Sequence, residues 1–337
     1  MNRWVVPCCF LFVSILSSTG SWAEEKSSVD KAREALTKQE GDSDSAKQLE
    51  EVFQAAEKNY SLLKKGKQSM SYSFDYSYFG DQRFDIQIVN NSVRNLDVTP
   101  AATHSFTNSF SYDYGLLNNL TVSARLPLVS KFDTQDELST TDLGDMSFTL
   151  RWQPLAYVPG KPSITLFSSV KTKTGVSPYE IDLNRQLSTG SGYYSVSGGL
   201  STSKVIDPVV LFGSLSMTYN FEQEDLNQVR GARLLRSVQP GISFSLSGGY
   251  SYSLSYDTSL SASVQISYSD ETTLKFNDGS VAKAQDQVSG IINFSLGNRI
   301  SEKTILNTNI GFGLTEDSPD ILVGFSLPIN LAGLKDE

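Results

Sequence analysis

The chain has 337 residues, 39% hydrophobic and 19% charged, with 28 Lys and Arg against 37 Asp and Glu and a formal net charge of −9. An acidic balance of this kind argues against nucleic acid or anionic lipid surfaces as partners. Both cysteines, Cys8 and Cys9, lie in the first 23 residues, so the rest of the chain has no disulfide framework, thiolate metal site or thiol nucleophile.

Residues 1–23 read as a secretory signal peptide. Asn2 and Arg3 make a short charged start, 4–16 is an apolar run too short to span a bilayer, and Ser21-Trp22-Ala23 offers a small-x-small site with cleavage after Ala23. Beyond it no apolar stretch reaches eighteen residues, so no membrane-spanning helix is expected.

Residues 24–67 read as a short periplasmic α-helical segment. Ser45 and Gln48 have capping-box spacing, Lys64 and Lys65 suit a helix C-terminus, and Gly66 supplies a stop. Leu49, Phe53, Ala56, Tyr60 and Leu63 recur at intervals of three and four, giving one apolar seam. Two uses of the helix at 46–65 stay open: a plug on its own barrel, or a short coiled coil that assembles a homotrimer.

From Met70 the period is two. Twelve strands are expected, at 69–79, 103–114, 120–131, 142–153, 162–173, 190–204, 208–222, 237–252, 259–269, 286–297, 304–314 and 320–331. The connections alternate between short and long, as in a bacterial outer-membrane barrel. One parity of the strands is apolar, for example Met70, Tyr72, Phe74, Tyr76 and Tyr78, or Met146, Phe148, Leu150 and Trp152. No charged residue interrupts these runs, as lipid exposure requires, since Lys or Arg at the bilayer midplane costs about 2–4 kcal/mol. A soluble sandwich would alternate too, but with a charged outer face and loops unsorted by length. The expected fold is therefore all-β, a twelve-stranded antiparallel transmembrane β-barrel over 68–332, followed by a tail at 333–337.

The other parity is mostly Ser, Thr, Gly and Asn, which predicts a narrow, wettable lumen. Its charges concentrate early, as Asp75, Asp113, Arg125, Asp145, Arg151, Lys171 and Lys173. Arg125, Arg151 and Lys171 would form a basic ladder with Asp145 as a partner; they would select solutes or brace the wall. Catalysis is not expected. His104, the single histidine, shares the parity of Phe106 and Phe110, so it points to lipid. No cofactor or metal is expected.

Five stretches carry a family resemblance: 71–78 (SYSFDYSY) with 83–87 (RFDIQ), 119–127 (NLTVSARLP), 142–151 (DLGDMSFTLR), 187–193 (LSTGSGY) and 207–216 (DPVVLFGSLS). They resemble outer-membrane barrels labelled MetA-pathway of phenol degradation, and the related exporter of functional-amyloid subunits. The resemblance implies an outer-membrane transport role, with a helical periplasmic segment ahead of the barrel. Three readings follow: a channel for polar solutes or an extended polypeptide, gated by the helix; an uptake route for apolar aromatics; or a closed structural or surface-binding barrel. The aromatic route needs an inward apolar ladder, and Phe167, Tyr193, Phe212 and Ile291 are few for one. Outer-membrane lipid is the expected surrounding, in a Gram-negative cell.

Overall fold

Alternation at period two becomes strand along most of the chain after Gln68. The computed structural model describes residues 62–329 apart from 90–91, 157, 159, 184, 207, 231–232, 256 and 302–303, with the backbone alone over 81–101. The barrel opens with β1 (Gln68–Val89), β2 (Ser92–Leu117) and β3 (Leu120–Asp133). Its fourth wall position is shared by β4 (Ser139–Leu143) and β5 (Ser147–Trp152). Next come β6 (Ser163–Lys171), β7 (Ser195–Ile206) and β8 (Val209–Asn220). A hairpin outside the wall, β9 (Gln228–Arg230) and β10 (Arg233–Gln239), precedes β11 (Ser243–Ser253) and β12 (Thr258–Ser269). A second outside hairpin, β13 (Thr273–Phe276) and β14 (Val281–Lys283), precedes β15 (Gln287–Ser301), β16 (Thr304–Gly313) and β17 (Ile321–Ile329). All pairings are antiparallel, and β17 pairs back to β1, so the wall closes after twelve strand positions.

Polarity is inverted relative to a water-soluble domain. Phe110, Leu150, Leu215 and Phe312 are exposed, whereas Ser109, Thr121, Ser201 and Ser251 are fully buried. Exposed aliphatic and aromatic side chains over the outer wall, with hydroxyls turned inward, are what a lipid-facing barrel requires. Lys204 is an exception on the outer parity. It sits two residues from the C-terminal end of β7, opposite Leu211, where its amine can reach the interface.

Several boundaries differ from those the sequence suggests. Residues 80–102, expected as a loop, continue β1 and β2 as a two-stranded ribbon, while β17 flanks β1 only over 70–78. The strand expected at 142–153 is broken at 144–146. Leu143 pairs with Leu128 and Ser147 with Arg125, so one extra residue intervenes and the parity reverses above the break. That reversal turns Asp142 inward, opposite Val129. The segment expected at 237–252 is two strands, because β10 leaves the wall to pair with β13 and β9.

The expected helix does not extend to residue 65. Residues 62–64 are not helical, and Lys65 and Gly66 form a turn in which Gly66 has φ 77°. Leu49, Phe53, Ala56 and Tyr60 lie outside the described residues, as do the signal peptide with Ala23 and the tail at 333–337.

Candidate functional site in the barrel lumen

Strand register brings the inward side chains into rungs that cross the wall. One runs Asp113, Ser123, Thr149, Ser169, Ser197, Thr218, Ser243, Ser269 and Gln287. Its hydroxyls bond one another: Thr149 donates to Ser169 at 3.0 Å, and Ser243 and Ser269 lie 3.0 Å apart. Neighbouring rungs repeat the device, with Ser214 and Ser247 at 2.6 Å and Ser267 donating to Ser245 at 3.0 Å. Serine satisfies its own hydrogen bonding in this way while projecting little into the bore.

Of the charges expected to form a ladder, Arg125 and Lys171 flank Ser147 on one rung, and Arg151 stands on another. Arg151 is nearly buried and meets Asp113 at 2.5 Å, with Ser123 bonded to both. Arg125 stands 3.7 Å from Asp75 and donates to Ser109 at 2.9 Å. Among the described residues Asp145 has no base within ion-pair distance. It sits at the wall break and accepts from the Gly175 and Ser191 amides at 3.1 and 2.7 Å, which pins the loop after β6. Cβ atoms at Gly175 or Gly190 would crowd that carboxylate. Lys171 places its ammonium 5.2 Å from the centre of the Tyr193 ring, and Lys173 donates to Gln223 at 3.0 Å. Asn309 and Gly324, beside Asp75, carry no signal in the sequence; only register reveals them.

The inner wall also has an apolar patch near the rim that carries the short β7–β8 turn. Val205, Val210 and Phe212 pack together there, and Phe167 lies over Gly199, where a Cβ would come within 2.6 Å of its ring. On the lipid side, a hollow of about 460 Å³ is lined by Phe74, Phe294, Ile310 and Phe325.

Where the chain enters β1 it follows the inner face. The Leu63 amide donates to Thr121 Oγ1 at 2.8 Å, and Thr121 is an inward, fully buried residue. Gly66 and Gly115 extend the contact, the Gly66 amide donating to the Gly115 carbonyl at 2.8 Å. Any side chain at 115 would collide with the Leu63 and Lys64 carbonyls, which is why glycine stands there.

At the opposite end three loops fold into one cap. β14, β13, β10 and β9 form a four-stranded sheet over Leu226, Leu235 and Val238, against which Tyr179, Leu274 and Phe276 pack. Gln228 ties it to the loop after β6 by donating to the Pro178 carbonyl at 2.8 Å. Glu222 accepts from Lys275 at 2.7 Å and from Ser237 at 3.0 Å. The Lys275 bond, then the Ser237 bond, hold its carboxyl below the usual range.

His104 faces outward, as its parity implies. It lies 2.9 Å from the Tyr76 hydroxyl and among the rings of Tyr78 and Phe132. Among the described residues no group of three or more His, Cys, Asp or Glu side chains is placed to hold a metal ion.

Residues 66–331 match the family model described as "Putative MetA-pathway of phenol degradation". The chain belongs to this family. Among solved structures, an outer membrane channel from Pseudomonas putida F1 is similar at TM-score 0.59 and 14% identity, over 80% of this chain and 97% of that one. Two others are more distant. The translocator domain of the autotransporter NalP from Neisseria meningitidis matches at TM-score 0.45 and 8% identity, over 90% and 98% of the two chains. A deletion mutant of the TodX monoaromatic hydrocarbon channel matches at 0.40 and 10%, over 81% and 90%. A closed barrel with a lipid-facing wall places this family member in the outer membrane.

Proposed function

We propose that the protein is an outer-membrane channel for small polar solutes, and that the segment 24–67 limits flow at its periplasmic mouth. The hydroxyl rung from Ser123 to Ser269 carries the reading. Seven consecutive wall positions present Ser or Thr to the lumen, a lining that keeps a narrow bore open and wet. The gating part is supported by the bond from Leu63 to Thr121, since a chain that meets an inward side chain is routed along the inside of the rim.

Single-channel recording in planar bilayers tests both parts. Removing 24–61, which keeps the contacts of Leu63 and Gly66, is expected to raise mean conductance while the barrel still folds. An unchanged conductance, with a trimer that the deletion turns into monomers, would make the segment an assembly device. No conductance from either form would favour the closed, surface-binding barrel.

A second reading draws on the apolar patch of Phe167, Val205, Val210 and Phe212, and on the family's description: uptake of apolar aromatics. It is separated from the first by uptake into proteoliposomes. The Phe212→Ser variant should leave polar solute entry intact and slow toluene entry only if the aromatic route operates.

A further inference from the structure

We infer that the outer face of β1, β2 and β3, centred on Asn108, is where a second copy of this chain docks within the membrane. Asn108 shares the outward parity of Phe106 and Phe110, both exposed, and stands opposite Phe74 and Leu128. His104 and Tyr112 lie four residues to either side of it on the same parity. Four residues of a tilted strand rise about 10 Å along the bilayer normal, close to half of the apolar band of about 25 Å. Aromatic residues with a polar end belong at the two edges of that band, so Asn108 sits near its middle.

The carboxamide there is only half satisfied. Tyr72 donates its hydroxyl to Asn108 Oδ1 at 2.6 Å, and among the described residues Asn108 Nδ2 has no acceptor. Turning the carboxamide over still leaves an N–H to spare, because the amino group has two protons and Tyr72 takes at most one. Other polar side chains on the outer wall close on the backbone. Ser168 donates to the Ser197 carbonyl at 3.2 Å, Thr202 to that of Ser163 at 2.8 Å and Thr308 to that of Leu296 at 3.3 Å. One rung nearer the outer rim, Thr141 donates to Ser130 at 2.9 Å, which extends the polar surface across β3 and β4.

Hydrocarbon offers no acceptor for the spare amide proton, and water and lipid headgroups stay at the edges of the band. The acceptor has to come from protein. A second copy brings the same group to the same height in the membrane. Across a two-fold axis along the membrane normal, each Asn108 donates to the other's carboxamide oxygen, whose second lone pair Tyr72 leaves open. Both spare donors are then used at once, in a medium where few other bonds compete. Phe74, Phe106 and Phe110 flank the pair and exclude water from it.

Energy transfer between copies labelled at Val229→Cys, in proteoliposomes of falling protein-to-lipid ratio, tests the interface; the chain beyond residue 23 has no other cysteine. Wild-type protein should show transfer above that of randomly diluted copies until a low ratio is reached. Asn108→Leu should move the loss of transfer to a ratio about tenfold higher while the barrel keeps its heat-modifiable mobility. Asn108→Gln, which keeps a carboxamide on the face, should restore most of the association. Wild-type transfer no higher than random would overturn the interface. Transfer that Asn108→Leu leaves unchanged would overturn it too, and its loss on removing 24–61 would assign association to that segment instead.

Discussion

Leu150 and Thr149 are neighbours in sequence and face different media. Leu150 is exposed on the outer wall, and Thr149 bonds Ser169 inside. Leu150→Arg should therefore impair assembly in the outer membrane far more than Thr149→Arg, by about 2–4 kcal/mol of added insertion cost near the midplane. Heat-modifiable mobility of membrane fractions measures it, and equal tolerance would reverse the assignment of faces. Arg151 makes a different kind of case. It is nearly buried against Asp113, so Asp113→Ala leaves a cation without its nearest counter-charge. The expected loss is about 3–5 kcal/mol, read as a lower urea midpoint.

Elements bring in the two ends of the barrel. At the periplasmic end, the contact between residues 63–67 and the turn after β2 depends on Gly115 having no Cβ. Gly115→Val should release it, and should reproduce the conductance of the 24–61 deletion in full-length protein. A wild-type conductance in that variant would separate the contact from flow control. At the outer end the cap hangs on Glu222. Its carboxyl is held low by Lys275 and Ser237, so the stabilisation is complete above the usual carboxylate range and is lost as pH falls through the lowered value. The chain beyond residue 23 has no cysteine, so a spin label at Val229→Cys reports on the cap alone. Its mobility should rise in acid, and Glu222→Gln should make it high at neutral pH. A label that responds to neither change would show that the small core of Leu226, Leu235 and Val238 holds the cap unaided.

At the scale of the whole molecule, the barrel was legible because lipid on one side and water on the other impose a period of two that few sequences counterfeit. What stayed hidden depends on register or on pairing outside the wall. Asp145, expected as a partner for the bases, also accepts from loop amides at the break in the fourth strand position, which no periodicity announces. Val238 shares the parity of Ile242 and Phe244, so the end of β10 resembled the start of a wall strand although it belongs to the cap. The ribbon beyond residue 80 was read as a loop, and only the pairing of β1 with β2 over 80–102 reveals it.

The hydroxyl rungs have a consequence for how the bore resists movement. Where Ser214 bonds Ser247, Ser243 bonds Ser269 and Ser267 bonds Ser245, much of that sector's hydrogen-bonding capacity is already taken up. A passing molecule finds little there to hold on to. On the channel reading proposed above, friction along β8, β11 and β12 is expected to be low and insensitive to what the molecule is, with discrimination on the opposite wall, where β1 and β3 carry their charges. Such a lumen would work as a smooth bearing facing a textured one, and changing a serine in the first should alter the speed of every cargo without altering which cargo is preferred.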